Sequence, residues 1–374
     1  MELVLNSDQQ FFVETTRKFL EAEAPLTAVR ALYDDPNGFD GGWWRRGADL
    51  GWTSMLVPED QGGGSVSGEG LRDLALVAEE IGRLVSPGPF LPSNVVAHAI
   101  ATAGTSQQQA DVLPGIVSGE LVAAWCIAED DAWDGEGVQL QATAKGDGFL
   151  LSGTKSKVEA GGQADWLLVT ARSGDGLTQF LLPANTAGIT ITPMKSLDFT
   201  KRFAEVRFDG VQAPASSVVG RPGGAEADVE RQLHVAVVLQ CAEINGAATR
   251  VFEFTIEYAF DRYSFGRPLA SYQELKHRFA DMKLWLECCH ATTSGAAEAV
   301  QNGSGDAARL VSVAKSYVGD NAAELIQDCV QIHGGIGVTW DHDIHLYLRR
   351  ATVNRAIYGT PDQHRERIAT LLGM

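Results

Sequence analysis

The spacing of apolar positions changes twice along this chain, and the changes divide it into three stretches. Phe11, Phe12, Thr15, Phe19 and Leu20 recur at three- and four-residue steps, the period that lines one face of an α-helix. Ser7, with the acceptor-rich Asp8, Gln9 and Gln10 behind it, predicts the N-cap of that first helix. Trp43, Trp44, Leu50, Trp52, Met55 and Leu56 lead into VPEDQGGG, whose proline and glycines stop the pattern before a further helix over residues 68–85. Residues 1–120 thus form a predicted N-terminal helical domain. From Leu121 the period shortens. LVAAWCIA, VQLQATA, FLLSGTKSKV, WLLVTAR, TQFLLP, ITITPM and AEVRFDGV are short runs of branched apolar residues between Gly-Asp, Gly-Gly and Pro-Ala turns. They predict a central antiparallel β domain over residues 121–224. From AEADVERQL to Met374 the spacing is helical again, which gives a C-terminal helical bundle over residues 225–374. The class is α+β. A doubly wound nucleotide fold needs alternating strands and helices, and no GxGxxG or P-loop string follows a predicted strand.

A chain of 374 residues, 45% of them hydrophobic, can bury a large core in two or three domains. Its formal charge of -18 disfavours non-specific binding to nucleic acid or anionic lipid, so a polyanion has to be met by a local basic pocket. The five cysteines, Cys126, Cys241, Cys288, Cys289 and Cys329, show neither CxxC nor Cys/His ligand spacing and read as reduced core residues. No apolar run approaches a membrane span, and the N-terminal residues lack the pattern of a secretory leader. The expected location is cytoplasmic, with no nucleic-acid and no membrane partner.

Two strings carry candidate chemistry. In the first, RYSFGRPLASYQELKHRFADM, a Gly-Pro turn joins two long amphipathic helices, and Arg262, Arg267, Lys276, His277 and Arg278 gather positive charge around it. By composition alone this is a solvated loop between bundle helices. In the second, QIHGGIG, residues 331–337, three glycines at a helix end let the backbone approach a ligand and present its N–H groups. By spacing alone that is a C-cap. Taken in order, roughly seventy residues apart, the two strings resemble the signature of acyl-CoA dehydrogenases. The Leu-Gly-Trp, Val-Pro-Glu and Gly-Gly-Gly order near the N-terminus is similar to that family's N-terminal domain.

The resemblance implies the family's fold: an N-terminal helical domain, a central β domain and a C-terminal four-helix bundle through which subunits pair. It implies FAD bound across a subunit interface, with Arg262, Phe265 and Gln273 on one set of flavin contacts. Gln331, Gly334 and Gly335 match the segment that holds the ADP half, and Thr360 matches the GT segment near the C-terminus. It implies an acyl-CoA substrate, a 2,3-enoyl-CoA product, an electron-transferring flavoprotein as electron acceptor, and a homo- or hetero-oligomer, dimer or tetramer. Some members work as mixed oligomers in the bacterial breakdown of sterol side chains. Two places depart from the family. Lys157, Val158, Glu159 and Ala160 stand where a tryptophan or phenylalanine and a threonine or serine usually contact the flavin ring. AWCIAEDDAWDG stands where the family shows a threonine-glutamate-proline followed by glycine and serine.

The reaction demands a base at Cα of the thioester. Most family members carry it as the glutamate of YEGT, but this chain reads AIYGT, so Tyr358 falls on that position; a tyrosine with an ordinary pKa of about 10 is a poor base at neutral pH. A minority place the base on the helix before the turn, at the position of Ala236 here. Glu243, seven residues on, shares that helix face and sits in an apolar stretch that would raise its pKa. Two turns are about 10 Å of helix, however, so a structural or pocket-lining role is the favoured one. A non-catalytic subunit beside a partner that supplies the base is the alternative function. His333, His342 and His345 lie near Asp341 and Asp343 without the spacing of a metal site, and with Arg349 and Arg350 they suit an interface.

Overall fold

The computed structural model describes residues 5–174 and 176–374. Among the described residues seven α-helices come first: α1 (Ser7–Glu23), α2 (Leu26–Ala31), α3 (Gly41–Asp49), α4 (Gly70–Arg83), α5 (Phe90–Ala103), α6 (Ser106–Asp111) and α7 (Leu113–Val117). Asn6, not Ser7, caps α1: its side chain accepts from the Gln9 N–H at 2.8 Å, while Gln9 Oε1 accepts from the Asn6 N–H at 3.2 Å. Asparagine followed three residues later by glutamine satisfies two orphan donors reciprocally, which moves the start one residue earlier than the serine suggests.

Eight strands follow as one sheet: β1 (Ala123–Cys126), β2 (Gln141–Lys145), β3 (Gly148–Glu159), β4 (Trp166–Ser173), β5 (Gly176–Pro183), β6 (Ile189–Met194), β7 (Phe203–Ala213) and β8 (Val218–Val219). The order is β6-β7-β3-β2-β4-β5-β8, with β1 on β4. Pairing is antiparallel except where β1 and the first residue of β2 run parallel to β4. Leu151, Val158, Val169, Phe180, Val206 and Phe208 pack on one face of the sheet as its core. The register of β3 against β7 slips between Lys155 and Val158, a bulge that turns the end of β3.

The C-terminal part is helical, interrupted by one hairpin. It holds α8 (Glu226–Asp261), the strands β9 (Tyr263–Ser264) and β10 (Arg267–Pro268), then α9 (Gln273–Gln301), α10 (Ala307–His333), α11 (Ile344–Ala356) and α12 (Pro361–Leu371). The five cysteines are free thiols. Among the described residues no helix is long and apolar enough to cross a membrane.

By packing, the chain forms two compact units, one made of the residues up to Arg30 with Ala75–Ser86 and Val237–Met374, the other of Ala31–Leu74 with Pro87–Ala236. In the first unit α4 crosses α8 backbone to backbone. A Cβ added at Gly82 would lie 1.9 Å from the Glu243 carbonyl oxygen, and one at Gly246 would lie 1.8 Å from that of Glu79. Only glycine permits so close a crossing. It sets Arg83 against Glu253 in a two-bond pair at 3.0 and 2.6 Å, while Arg17 holds Glu80 at 2.8 and 2.6 Å.

Candidate functional site

The end of α8 becomes a hairpin because Phe265 and Gly266 both take positive φ, 52° and 81°, between strands that pair Ser264 with Arg267. Two left-handed residues in a two-residue loop make a type I′ turn, which normally carries asparagine or glycine. A phenylalanine there costs roughly 1–2 kcal/mol of backbone strain. Its ring gains no burial in return, being 97% exposed. Backbone strain of this kind clusters at active sites, ligand clamps and switch regions. The hairpin is braced from within. The Tyr272 hydroxyl donates to the Ser264 carbonyl at 2.7 Å, and the Arg267 guanidinium lies 3.8 Å from the centre of the Tyr272 ring. Leu269 N–H closes the loop on the Arg262 carbonyl at 2.8 Å.

One turn before Arg262, Tyr258 stacks on His333 at 4.3 Å between ring centres and donates from its hydroxyl to the His333 carbonyl at 3.3 Å. That contact brings the two sequence strings together. Arg262, Gln273, Gln331, Gly334 and Gly335 are all exposed, and a Cβ built at Gly334 or Gly335 would meet nothing within 4 Å. Arg278 pairs with Asp328 and ties α9 to α10 behind them. The result is an end of the helical unit that leaves Arg262, Gln273, Gln331 and the Gly334–Gly335 backbone open to solvent.

The candidate bases are placed otherwise. Ala236 is buried and carries no chemistry. Tyr358 is buried too, with φ of 57°, and the turn around it is fixed from several sides. The buried Lys315 ammonium donates to the Ile357 carbonyl at 2.9 Å, and also to the Asn354 carbonyl and to Gln240 Oε1. The His364 ring meets the Tyr358 carbonyl at 2.9 Å. Thr360 caps α12, its oxygen accepting from the Gln363 N–H at 3.3 Å while Gln363 Oε1 takes the Thr360 N–H at 2.8 Å. Glu243, which the sequence surrounds with apolar residues, is held by polar ones: Arg350 pairs with one carboxylate oxygen, and Asn354 donates to the other at 2.7 Å. Arg350 is wholly buried and donates also to the carbonyls of Val85 and Ser86, at 3.1 and 3.2 Å.

In the sheet unit the bulge at the end of β3 carries three non-glycine residues near or on it with positive φ: Asp130, Lys157 and Ala160. Lys157 Nζ reaches the Asp130 carbonyl at 2.5 Å and Asp131 at 3.2 Å. Beneath them Lys155 pairs with Glu129 at 2.6 Å; burial pulls its pKa down, and the Glu129 charge opposes the shift. Glu159 is buried and paired with the buried Lys201 at 2.9 Å. The motifs do not single out Lys201, which pairs with Glu159, or Arg202, which lines a cleft with Glu159. The available signal was a pair of cations directly before the apolar alternation of β7, facing an acid at the end of β3.

His333 and His342 lie 4.6 Å apart ring to ring, and Trp340 stacks on His345 at 4.8 Å. Burial lowers the pKa of all three histidines. Among the described residues no group of three or more His, Cys, Asp or Glu side chains is arranged to hold a metal ion.

Comparison with known proteins gives three matching family models: acyl-CoA dehydrogenase N-terminal domain over residues 6–120, middle domain over 124–211 and C-terminal domain over 224–373. A curated relative, acyl-CoA dehydrogenase IpdE2 of Mycobacterium tuberculosis, is 29% identical over 95% of this chain and 94% of its own length. A variant of the Tcur3481-Tcur3483 steroid ACAD superposes with a TM-score of 0.88 and 29% identity, covering 98% of this chain and 97% of that one. The ChsE4-ChsE5 complex from Mycobacterium tuberculosis gives a TM-score of 0.90 and 25% identity, covering 100% of this chain and 99% of that one.

Proposed function

Because the chain belongs to the acyl-CoA dehydrogenase family, we propose that it serves as a subunit of an oligomeric, FAD-dependent enzyme that converts an acyl-CoA thioester to its 2,3-enoyl-CoA. An electron-transferring flavoprotein receives the electrons. The observation that carries this reading is the strained hairpin beside the open glycine loop, an arrangement whose cost is explained by a ligand that lies outside the chain's own fold. FAD, when bound, supplies the hydride acceptor. The chain's own part is positioning: Arg262 forms a charge-assisted pair with the pyrophosphate, Phe265 packs its exposed ring on the cofactor, and Gln273, Gln331 and the N–H groups of Gly334 and Gly335 hold the polar remainder. Thr360 keeps its hydroxyl hydrogen to donate, since its oxygen is occupied by the cap. In the assembled enzyme Arg262→Ala should lower flavin content and loosen the oligomer together, because cofactor binding and assembly are linked. Full flavin content in a monomeric Arg262→Ala protein would overturn the reading.

A mixed oligomer is the form these residues favour. Tyr358 stands at the usual glutamate position, and Glu243 is committed to Arg350 and Asn354, so the base comes from a partner chain of the same family. The ChsE4-ChsE5 complex, which this chain resembles, joins two different chains. The homomer should show no turnover of acyl-CoA, and turnover should appear on co-expression with a homologue that carries the glutamate. In that complex Tyr358→Phe should leave the rate within a few-fold, while loss of the partner's glutamate should remove the roughly 10²- to 10⁴-fold typical of a general base. A homomer that turns over acyl-CoA at full rate would return the base to this chain.

A further inference from the structure

A cleft in the sheet unit is walled by Gly38, Gly88, Glu159, Ala160, Thr200 and Arg202. Its end of β3 is the segment that the family sets beside the flavin ring, yet the cleft has only about 10 Å³ of interior space, far below the roughly 300–1,000 Å³ of cofactor sites. Two features fill it. The first is Glu159, which lines the cleft and is buried in a pair with the buried Lys201, where family members offer an aromatic ring and a small hydroxyl. A neutral ring laid there would have to take the place of water-excluded charges that already satisfy each other. The second is Arg202. Its guanidinium donates to the carbonyls of Leu32 at 2.6 Å, Asp35 at 2.8 Å and Phe199, and its stem lies against Gly38, where an added Cβ would be 2.6 Å from Arg202 Cγ. Three carbonyl acceptors from two segments fix the fork in place, so it cannot swing aside as a solvated arginine would.

The residues of this wall do not fit a flavin ring, whereas those of the 262–273 hairpin fit the cofactor's phosphate end. We propose that Glu159, Lys201 and Arg202 form an internal plug, so that the chain contributes Arg262 and Phe265 to a flavin carried by its partner and retains none in its own sheet unit. The inference rests on the subunit role proposed above for its first half, the contribution to the partner. Its second half stands on the wall alone.

The test is titration of the purified chain with FAD, followed by the quenching of flavin fluorescence. The parent should bind no stoichiometric FAD. Glu159→Thr/Lys201→Ser, which removes both charges and opens the wall, should raise FAD affinity by about ten-fold or more, whereas Glu159→Gln/Lys201→Met, which keeps the volume, should not. Stoichiometric binding by the parent overturns the plug, and so does a folded Glu159→Thr/Lys201→Ser protein that gains nothing. Should that variant fail to fold, the parent titration still decides. Arg262→Ala in the complex with the partner separates the two readings. Unchanged flavin content there would fault the clamp and leave the plug to the titration, while lowered content with a flavin-binding parent would fault the plug alone.

Discussion

Two buried carboxylates, Glu243 in the helical unit and Glu159 in the sheet unit, carry the same chemistry to different ends. Each is almost fully out of water and each is paired with a buried cation. Beyond Glu243 there is only more chain: Arg350 continues to the carbonyls of Val85 and Ser86, and Asn354 takes the second oxygen, so three distant segments are joined at one point. Beyond Glu159 there is a cleft. Burial, charge and pairing therefore do not say whether an acid serves stability or a site. What lies on the far side of the pair does.

The largest expected effect falls on the first of these. Arg350→Met leaves Glu243 buried without its cation, and loss of one member of a buried pair costs about 3–5 kcal/mol, measurable as a lowered denaturant midpoint at unchanged slope. A loss below about 1 kcal/mol would mean that Glu243 is solvated or re-paired, and would put it back among the candidate bases.

A smaller effect belongs to His98, a buried group in the sheet unit. Arg231 Nε donates to its Nε2 at 3.3 Å, which requires the neutral ring, and burial, with the Arg231 charge second, lowers its pKa to about 4. The unfolded chain then binds a proton near pH 6.5 that the folded chain refuses until about pH 4. Stability is full above pH 6.5, falls as the pH drops through that window and levels off below it, by at most on the order of 3 kcal/mol. His98→Gln should flatten that slope between the two values in urea titrations. An unchanged slope would assign the acid sensitivity to carboxylates instead.

Much of this was legible in the residues. Every run of branched apolar residues between Leu121 and Val211 became a strand, because alternation, turn residues and burial agree there. The two-residue strand β8 and the parallel partner of β1 were not legible, since both depend on which neighbour is nearest in space rather than on local pattern. The two strings of the proposed clamp stand out in the sequence because the residues of each are contiguous. The partners of Glu243 were not legible for the opposite reason: its apolar neighbours at 241, 242 and 244 are visible in the string, while Arg350 lies more than one hundred residues away. Lys201 and Arg202 were passed over because their partners, Glu159 and the 32–35 carbonyls, are equally remote.

The crossing of α4 on α8 has a genetic corollary. When two side chains collide, a second mutation that trims one of them can rescue the other. At Gly82 and Gly246 the opposing atoms are carbonyl oxygens of the main chain, 1.9 and 1.8 Å from where a Cβ would stand. Every residue type carries that oxygen, so no substitution at Glu79 or Glu243 can make room, and a suppressor would have to separate the helices and give up the Arg83–Glu253 and Arg350 contacts with them. These two glycines should tolerate no replacement that a change elsewhere in the chain can compensate.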